Sequence, residues 1–435
     1  MARSETEQKD LWPATERALA VEGGSAVLSA RVPCQPAPTS AASRRRTLQA
    51  PGRLQRCGAG VGQPAAVPSA VHYSQIDLDS AAGAGAPSGL LSYTGGTIGM
   101  AVTRADEHLV AFDFARLLKH IPELQLFRVK LTVLSREVPI DSSDITPADW
   151  LELAALIAAR YAEFDGFVVL HGTDTMAYSA SALSFLLEGL AKPVIFTGAQ
   201  VPVGRARTDA RENLLSALEI AALRTPAGRP LVTEVGLFFH RQLLRGNRSK
   251  KVESNFFDAF KSENYPVLIR AGVALEINPD ALAPAPTGPF RAHTALDARV
   301  AVVKLFPGIS EAVLRAVLDL PDLRGVVLET YGSGNAPSVP WFLQALRRTV
   351  ARGVLVLNVS QCDEGHVDQT RYATGIGLAE VGVLGGEDIT TEAAVAKLMF
   401  VLGQCPTDSA AAARLLTQNL RGEISRASPA GGAAG

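Results

Sequence analysis

The chain has 435 residues, enough for two or three domains, and 47% of them are hydrophobic, ample for a sizeable core. Its 42 Lys and Arg against 43 Asp and Glu leave a net charge of −1, which argues against a nucleic acid or an anionic membrane surface as partner. No run of about 18 apolar residues suggests a membrane-spanning helix, and four cysteines without a CxxC pair weigh against a disulfide scaffold.

Residues 1–86 are rich in Ala, Pro, Gly, Ser and Arg, and the segment 81–88, AAGAGAPS, reads as a flexible linker. The weak periodicity predicts a disordered extension. Glu5, Glu7 and Asp10 argue against a secretory or mitochondrial presequence, although Arg44, Arg45 and Arg46 sit in a stretch whose composition suits targeting. The scarcity of cysteine points to the cytoplasm. Cys362 and His366 are close in sequence, but two ligands do not make a zinc site, so no metal and no cofactor is expected.

Order is expected from Gly89 onward. Short, mostly apolar, β-branched or aromatic runs at 90–93, 166–170, 193–196 and 234–239 predict strands. The first three end in Thr94-Gly95-Gly96-Thr97, His171-Gly172-Thr173-Asp174 and Thr197-Gly198. Between them, Thr146 as a cap, Pro147 in the first turn and Asp149 three residues after the cap predict a helix bearing Trp150, Leu153, Leu156 and Ile157. Further helices are expected at 176–190 and 209–223. The prolines at 279, 284, 286 and 289 mark a linker, set at 283–297. Beyond it, strands are predicted at 299–306, 325–329 and 353–359 and helices at 310–320, 339–352 and 391–402. A disordered tail is expected at 427–435.

Strand and helix in alternation imply an α/β fold with parallel sheets. The domains are expected at 87–282, larger and N-terminal, and at 298–426, smaller and flavodoxin-like. Ligand sites in such sheets lie beyond the carboxyl ends of the strands, where Thr97, Thr173 and Asp174 fall.

Three segments carry the chemistry. Thr94–Gly99 reads TGGTIG: glycines at a strand end let the backbone turn sharply and approach a ligand. Its GGxxG spacing is not the GxGxxG of a dinucleotide turn. His171–Met176 reads HGTDTM, with polar groups between an apolar strand and a helix, and capping alone would explain them. Arg245–Lys251 reads RGNRSKK, which taken alone is a solvated basic loop.

Together with Asp141-Ser142-Ser143-Asp144, these motifs resemble the bacterial-type L-asparaginase family, in its cytosolic type I branch, from about Gly89 to Gly422. The phrases ETYGSGN at 329–335, VLGQ at 401–404 and LRGE at 420–423 resemble the animal members of the branch. Those members carry ankyrin repeats after this region, so the resemblance implies a truncated form.

The resemblance implies hydrolysis of the side-chain amide of L-asparagine to aspartate and ammonia. Thr97 would be the nucleophile that forms an acyl-enzyme. Thr173 would be the second catalytic threonine, hydrogen-bonded to Lys251, with Asp174 completing the relay. A hydroxyl is a weak nucleophile and an amide a poor electrophile, so a base and an oxyanion site are both needed. Lysine serves as a base only when it gives up its proton, which burial favours and a neighbouring carboxylate opposes. Asp174 would also accept the α-ammonium of asparagine, with Ser142 and Ser143 near the α-carboxylate. Asn335 matches a residue that reaches the site from a neighbouring subunit, implying a homodimer or homotetramer.

Two departures concern the first threonine's proton path. The stretch 100–113 lacks the tyrosine that family members often carry there, and 365–375 offers Tyr372 but no glutamate. Competing readings are a lysophospholipase, for which no GxSxG elbow is present, and a non-catalytic amino-acid-binding protein.

Overall fold

The computed structural model describes residues 46–48, 72–78, 83, 85–102, 109–111, 121–370 and 373–425. Most of the expected N-terminal extension, the expected tail and Tyr372 lie outside the described residues. Within the expected extension, however, Tyr73–Leu78 is a strand, so order begins before Gly89.

The strands of the larger sheet are β1 (Arg46–Leu48), β2 (Tyr73–Leu78), β3 (Ser88–Gly95), β4 (Lys130–Ile140), β5 (Gly166–Leu170), β6 (Val194–Thr197), β7 (Val235–Phe239), β8 (Gln242–Arg245), β9 (Ile269–Ala271) and β10 (Leu275–Ile277). Their spatial order is β1-β2-β4-β3-β5-β6-β7-β8-β9-β10. The centre from β4 to β7 is parallel. Antiparallel strands extend it on both sides. The sheet is therefore mixed, with the expected parallel strands at its centre. A strand joined to its neighbour by a tight turn must run antiparallel, as β7 and β8 do across His240-Arg241 at φ 44 and 65. β5 is buried along its whole length, which is why GFVVL does not alternate.

β4 was not legible as a strand. Lys130, Arg136, Glu137 and Pro139 break up its apolar run, and no residue from Ser135 to Ile140 is buried.

The helices are α1 (Pro147–Arg160), α2 (Met176–Leu186), α3 (Ala210–Ala222), α4 (Glu311–Leu318), α5 (Pro340–Ala351), α6 (Ala373–Glu380), α7 (Thr391–Gln404) and α8 (Ser409–Thr417). α1 opens with the expected capping box of Thr146 and Asp149. α2 is buried all round except at Tyr178, its three serines included, as suits a central helix. It stops at Leu186, not 190. There Leu187–Glu188 pairs with Arg291–Ala292, and Gly189 takes a φ of 64.

The smaller sheet holds β11 (Val300–Lys304), β12 (Gly325–Thr330), β13 (Leu355–Ser360) and β14 (Leu384–Gly385), all parallel. Its strands follow in chain order, whereas a flavodoxin places its first strand between the second and third. One apolar cluster joins the two domains through α1, α2 and α7, including Trp150, Phe185 and Phe400. A second lies on the other face of the larger sheet against α3. A third lies between the smaller sheet and α4–α6. Each large apolar side chain so buried contributes roughly 1.5–3 kcal/mol.

Candidate active site

Three strand ends meet at one point. After β3, Gly95 and Gly96 take φ values of 146 and 89, which only glycine adopts without strain. A Cβ on Gly96 would lie 2.5 Å from the Cα of Gly172, and one on Gly172 would lie 2.4 Å from Ser142 Oγ. The glycines are thus required by contact between backbones. Thr94 Oγ1 donates to Leu170 O (2.9 Å) and Thr175 Oγ1 to Ser142 O (2.7 Å), stitching the same segments together. Thr97, half-buried, starts the single 3-10 turn Thr97–Gly99, and Thr173 follows Gly172 directly. Both hydroxyl-bearing residues are therefore one position away from the same backbone contact.

Lys251 comes from the other side, on a two-stranded ribbon of Lys250–Lys251 with Phe260–Lys261. Its Nζ donates to Thr173 Oγ1 (2.8 Å) and to Asp174 Oδ1 (2.7 Å). The lysine side chain is mostly buried, while Asp174 is 65% exposed and faces the open side. Thr173 Oγ1 donates weakly to Gln200 Oε1 at 3.3 Å. Gln200 is itself held by Asp209, which accepts its backbone N–H, and by Phe256 O, which accepts from Nε2.

The basic loop is not solvated. Arg245, Asn247, Arg248 and Ser249 are all buried. Arg245 meets Glu234 at 2.6 Å. Arg248 pairs with Asp388 at 2.9 Å and donates to Gly422 O (2.7 Å) and Ser425 Oγ (3.1 Å). Burial alone would raise the Asp388 carboxyl, but hydrogen bonds from Ser425 and the Arg248 charge hold it below its usual range. Asn247 Nδ2 donates to Arg421 O. The turn Gly246–Arg248 that leads into Lys251 is thus anchored on the C-terminal segment 419–425.

His171, fully buried, directly follows β5. Burial drives its pKa from 6.5 down to about 4, against the Gly172 carbonyl and Asp149, which work the other way.

The sequence-predicted residues divide into two groups. Thr97, Ser142, Thr173, Asp174 and Lys251 are gathered. Ser143 is exposed, and its hydroxyl and backbone N–H both donate to Asp141 Oδ1. Those bonds hold the Asp141 carboxyl below its usual range. Asn335 lies in the smaller domain, where it accepts from Thr374 and bridges to Tyr331. The Thr97-side loop, 103–108 and 112–120, lies outside the described residues. Sequence reasoning missed Gln200, though its signal was present: Thr197-Gly198-Ala199-Gln200 is a third polar motif at a strand end. It also missed Trp150 and Ser179, since each looks like core on its own helix. Among the described residues no group of three or more His, Cys, Asp and Glu is arranged to hold a metal ion. No helix among them is long and apolar enough to cross a membrane.

The fold and these gathered groups define a class: a two-domain α/β protein with two threonines and a carboxylate just beyond parallel strands of its larger sheet, and an amine brought to them by a neighbouring ribbon. The chain belongs to the asparaginase family, its residues 90–282 matching the N-terminal asparaginase domain and 299–416 the glutaminase/asparaginase C-terminal domain. It is 43% identical over 335 residues to L-asparaginase 1 of Escherichia coli K12, covering 77% of this chain and 97% of that one. It is 40% identical over 357 residues to the mouse 60 kDa lysophospholipase, covering 77% of this chain and 62% of that relative's length. The crystal structure of L-asparaginase I from Vibrio cholerae superposes with a TM-score of 0.72 at 42% identity, covering 78% and 99% of the two chains.

Proposed function

We propose that this protein hydrolyses the side-chain amide of L-asparagine to L-aspartate and ammonia. The observation that carries the reading is Lys251 Nζ, within 2.8 Å of Thr173 Oγ1 and 2.7 Å of Asp174 Oδ1, beside the Gly96–Gly172 contact that brings in Thr97. Thr97 Oγ1 attacks the amide carbon, the oxyanion collapses, and ammonia leaves as the acyl-enzyme forms. The Thr97 proton leaves with the ammonia; water then attacks the ester carbon, its hydroxyl joining the acyl group and its other proton passing to Thr97 Oγ1. Thr173 and Lys251 move protons in both halves. Asp174, exposed at the mouth, accepts the substrate ammonium, and Ser142 lies near its carboxylate.

The test is ammonia release from asparagine and from glutamine. Thr97→Ala should fall to the blank, and Thr173→Ala and Lys251→Met should lose on the order of 10²–10⁴-fold in kcat. Variants that match the wild type would sink the assignment.

The same reading makes the protein cytoplasmic and a homodimer or homotetramer, with Asn335 serving a neighbouring subunit's site. Full activity in a species that sizes as a monomer would refute the shared site. The relatives named 60 kDa lysophospholipase favour a second reading, ester hydrolysis by the same hydroxyl. Fatty-acid release from a lysophospholipid, lost in Thr97→Ala, is its measure.

A further inference from the structure

His171 is wedged between two partners. Its Nδ1 lies 2.7 Å from Gly172 O and its Nε2 lies 2.9 Å from Ser179 Oγ. Ser179 Oγ also accepts from Trp150 Nε1 at 2.8 Å. Proton counting settles the direction of every bond. A carbonyl oxygen only accepts, so Nδ1 carries a hydrogen. The ring is fully buried and neutral at ordinary pH, so Nε2 is bare. The indole N–H only donates, so the Ser179 proton goes to Nε2. The chain therefore runs from Trp150 through Ser179 and His171 to the carbonyl of Gly172.

That carbonyl belongs to the peptide joining Gly172 to Thr173. In a planar trans peptide the N–H points opposite to the C=O. With the carbonyl drawn back against the core histidine, the Thr173 N–H points away from the His171 ring. Among the described residues it has no hydrogen-bond partner. Gly172 alone would leave this peptide free to rotate.

We propose that His171, held in the Nδ1–H form by Ser179 and Trp150, is a positioning residue that aims the Thr173 N–H at the oxygen of the substrate amide. This rests on the amidase reading above. The N–H meets the carbonyl oxygen in the substrate and holds it more tightly once it becomes an oxyanion. Losing the alignment therefore lowers kcat more than it raises KM.

The side chains of Asn and Gln separate this role from mere packing. Asn places an amide N–H near the position of Nδ1, whereas Gln places one near Nε2. His171→Asn should stay within about tenfold of wild-type kcat, while His171→Phe and His171→Gln lose roughly 10²-fold, with KM for asparagine little changed. Nitrogen-15 NMR of the wild-type protein should report a protonated Nδ1 and a bare Nε2 for the one histidine missing from the His171→Asn spectrum. A proton on Nε2 instead, or equal kcat for the Asn and Phe variants at matched thermal midpoints, overturns the proposal. If the wild type releases no ammonia, the functional reading fails by itself, and the NMR result still decides the orientation of the peptide.

Discussion

Lys397 on α7 and Glu423 form an ion pair at 2.7 Å in which both side chains are completely buried. Burial pulls the lysine's pKa down, and the glutamate opposes it. Glu423 also accepts the backbone N–H groups of Leu420 and Arg421, and Lys397 donates to Gln418 O. Replacing Lys397 by Met keeps the volume and strands the carboxylate. Breaking one partner of such a pair costs about 3–5 kcal/mol. The two remaining N–H bonds put this case near the low end, about 3 kcal/mol, or on the order of 10²-fold in the unfolding equilibrium. Urea unfolding at pH 7, followed by circular dichroism, measures it. Adding Glu423→Gln should recover part of the loss, with a coupling of roughly 2 kcal/mol. The same segment holds Asn247 through Arg421 O and Arg248 through Gly422 O, only three residues before Lys251. Lys397→Met should therefore also lower kcat for ammonia release, although it lies outside the site. A loss below about 1 kcal/mol, or strictly additive single and double variants, would refute the reasoning.

His171 predicts an acid limb. Its folded pKa of about 4 lies below the ordinary 6.5, so the unfolded chain binds the proton more readily between these values. Stability from this group is full above pH 6.5, falls through that window and is lost below about pH 4, roughly 3 kcal/mol in all. The wild type minus His171→Asn, measured by denaturant unfolding across pH 4–7, isolates it; parallel curves would contradict it. Glu392 has the opposite sign. Burial, with Glu329 adding, raises its carboxyl pKa, and Oε2 has no hydrogen-bond partner. The folded state binds the proton more readily, so stability falls as pH rises above about 4.5. Glu392→Gln should then raise the thermal midpoint at pH 7 and gain little at pH 4. For Gly96→Ala, the new Cβ would sit 2.5 Å from Gly172 Cα at a φ of 89, forcing the two turns apart. A shift near 1 Å there should cost roughly 10²-fold in kcat, and wild-type turnover would argue that the contact does not shape the site.

Local chemistry carried much of the outcome. Glycine at Gly95 and Gly96, the capping box at Thr146 and Asp149, and the solid apolar run of β5 each state their conformation within a few residues, because backbone sterics and short-range periodicity act at that range. The positions of Thr97, Thr173 and Asp174 at strand ends were readable for the same reason. Only the tertiary structure decided what depends on contacts between distant segments. β2 and β4 are strands because they pair with each other and β4 in turn pairs with β3, although their own residues are mixed in polarity. Arg245–Lys251 looks like a solvated loop until segment 419–425 and Asp388 supply its partners. The single proton on His171 was undecidable in sequence, because it is set by a carbonyl one residue away and by a serine whose own proton is directed by a tryptophan on another helix.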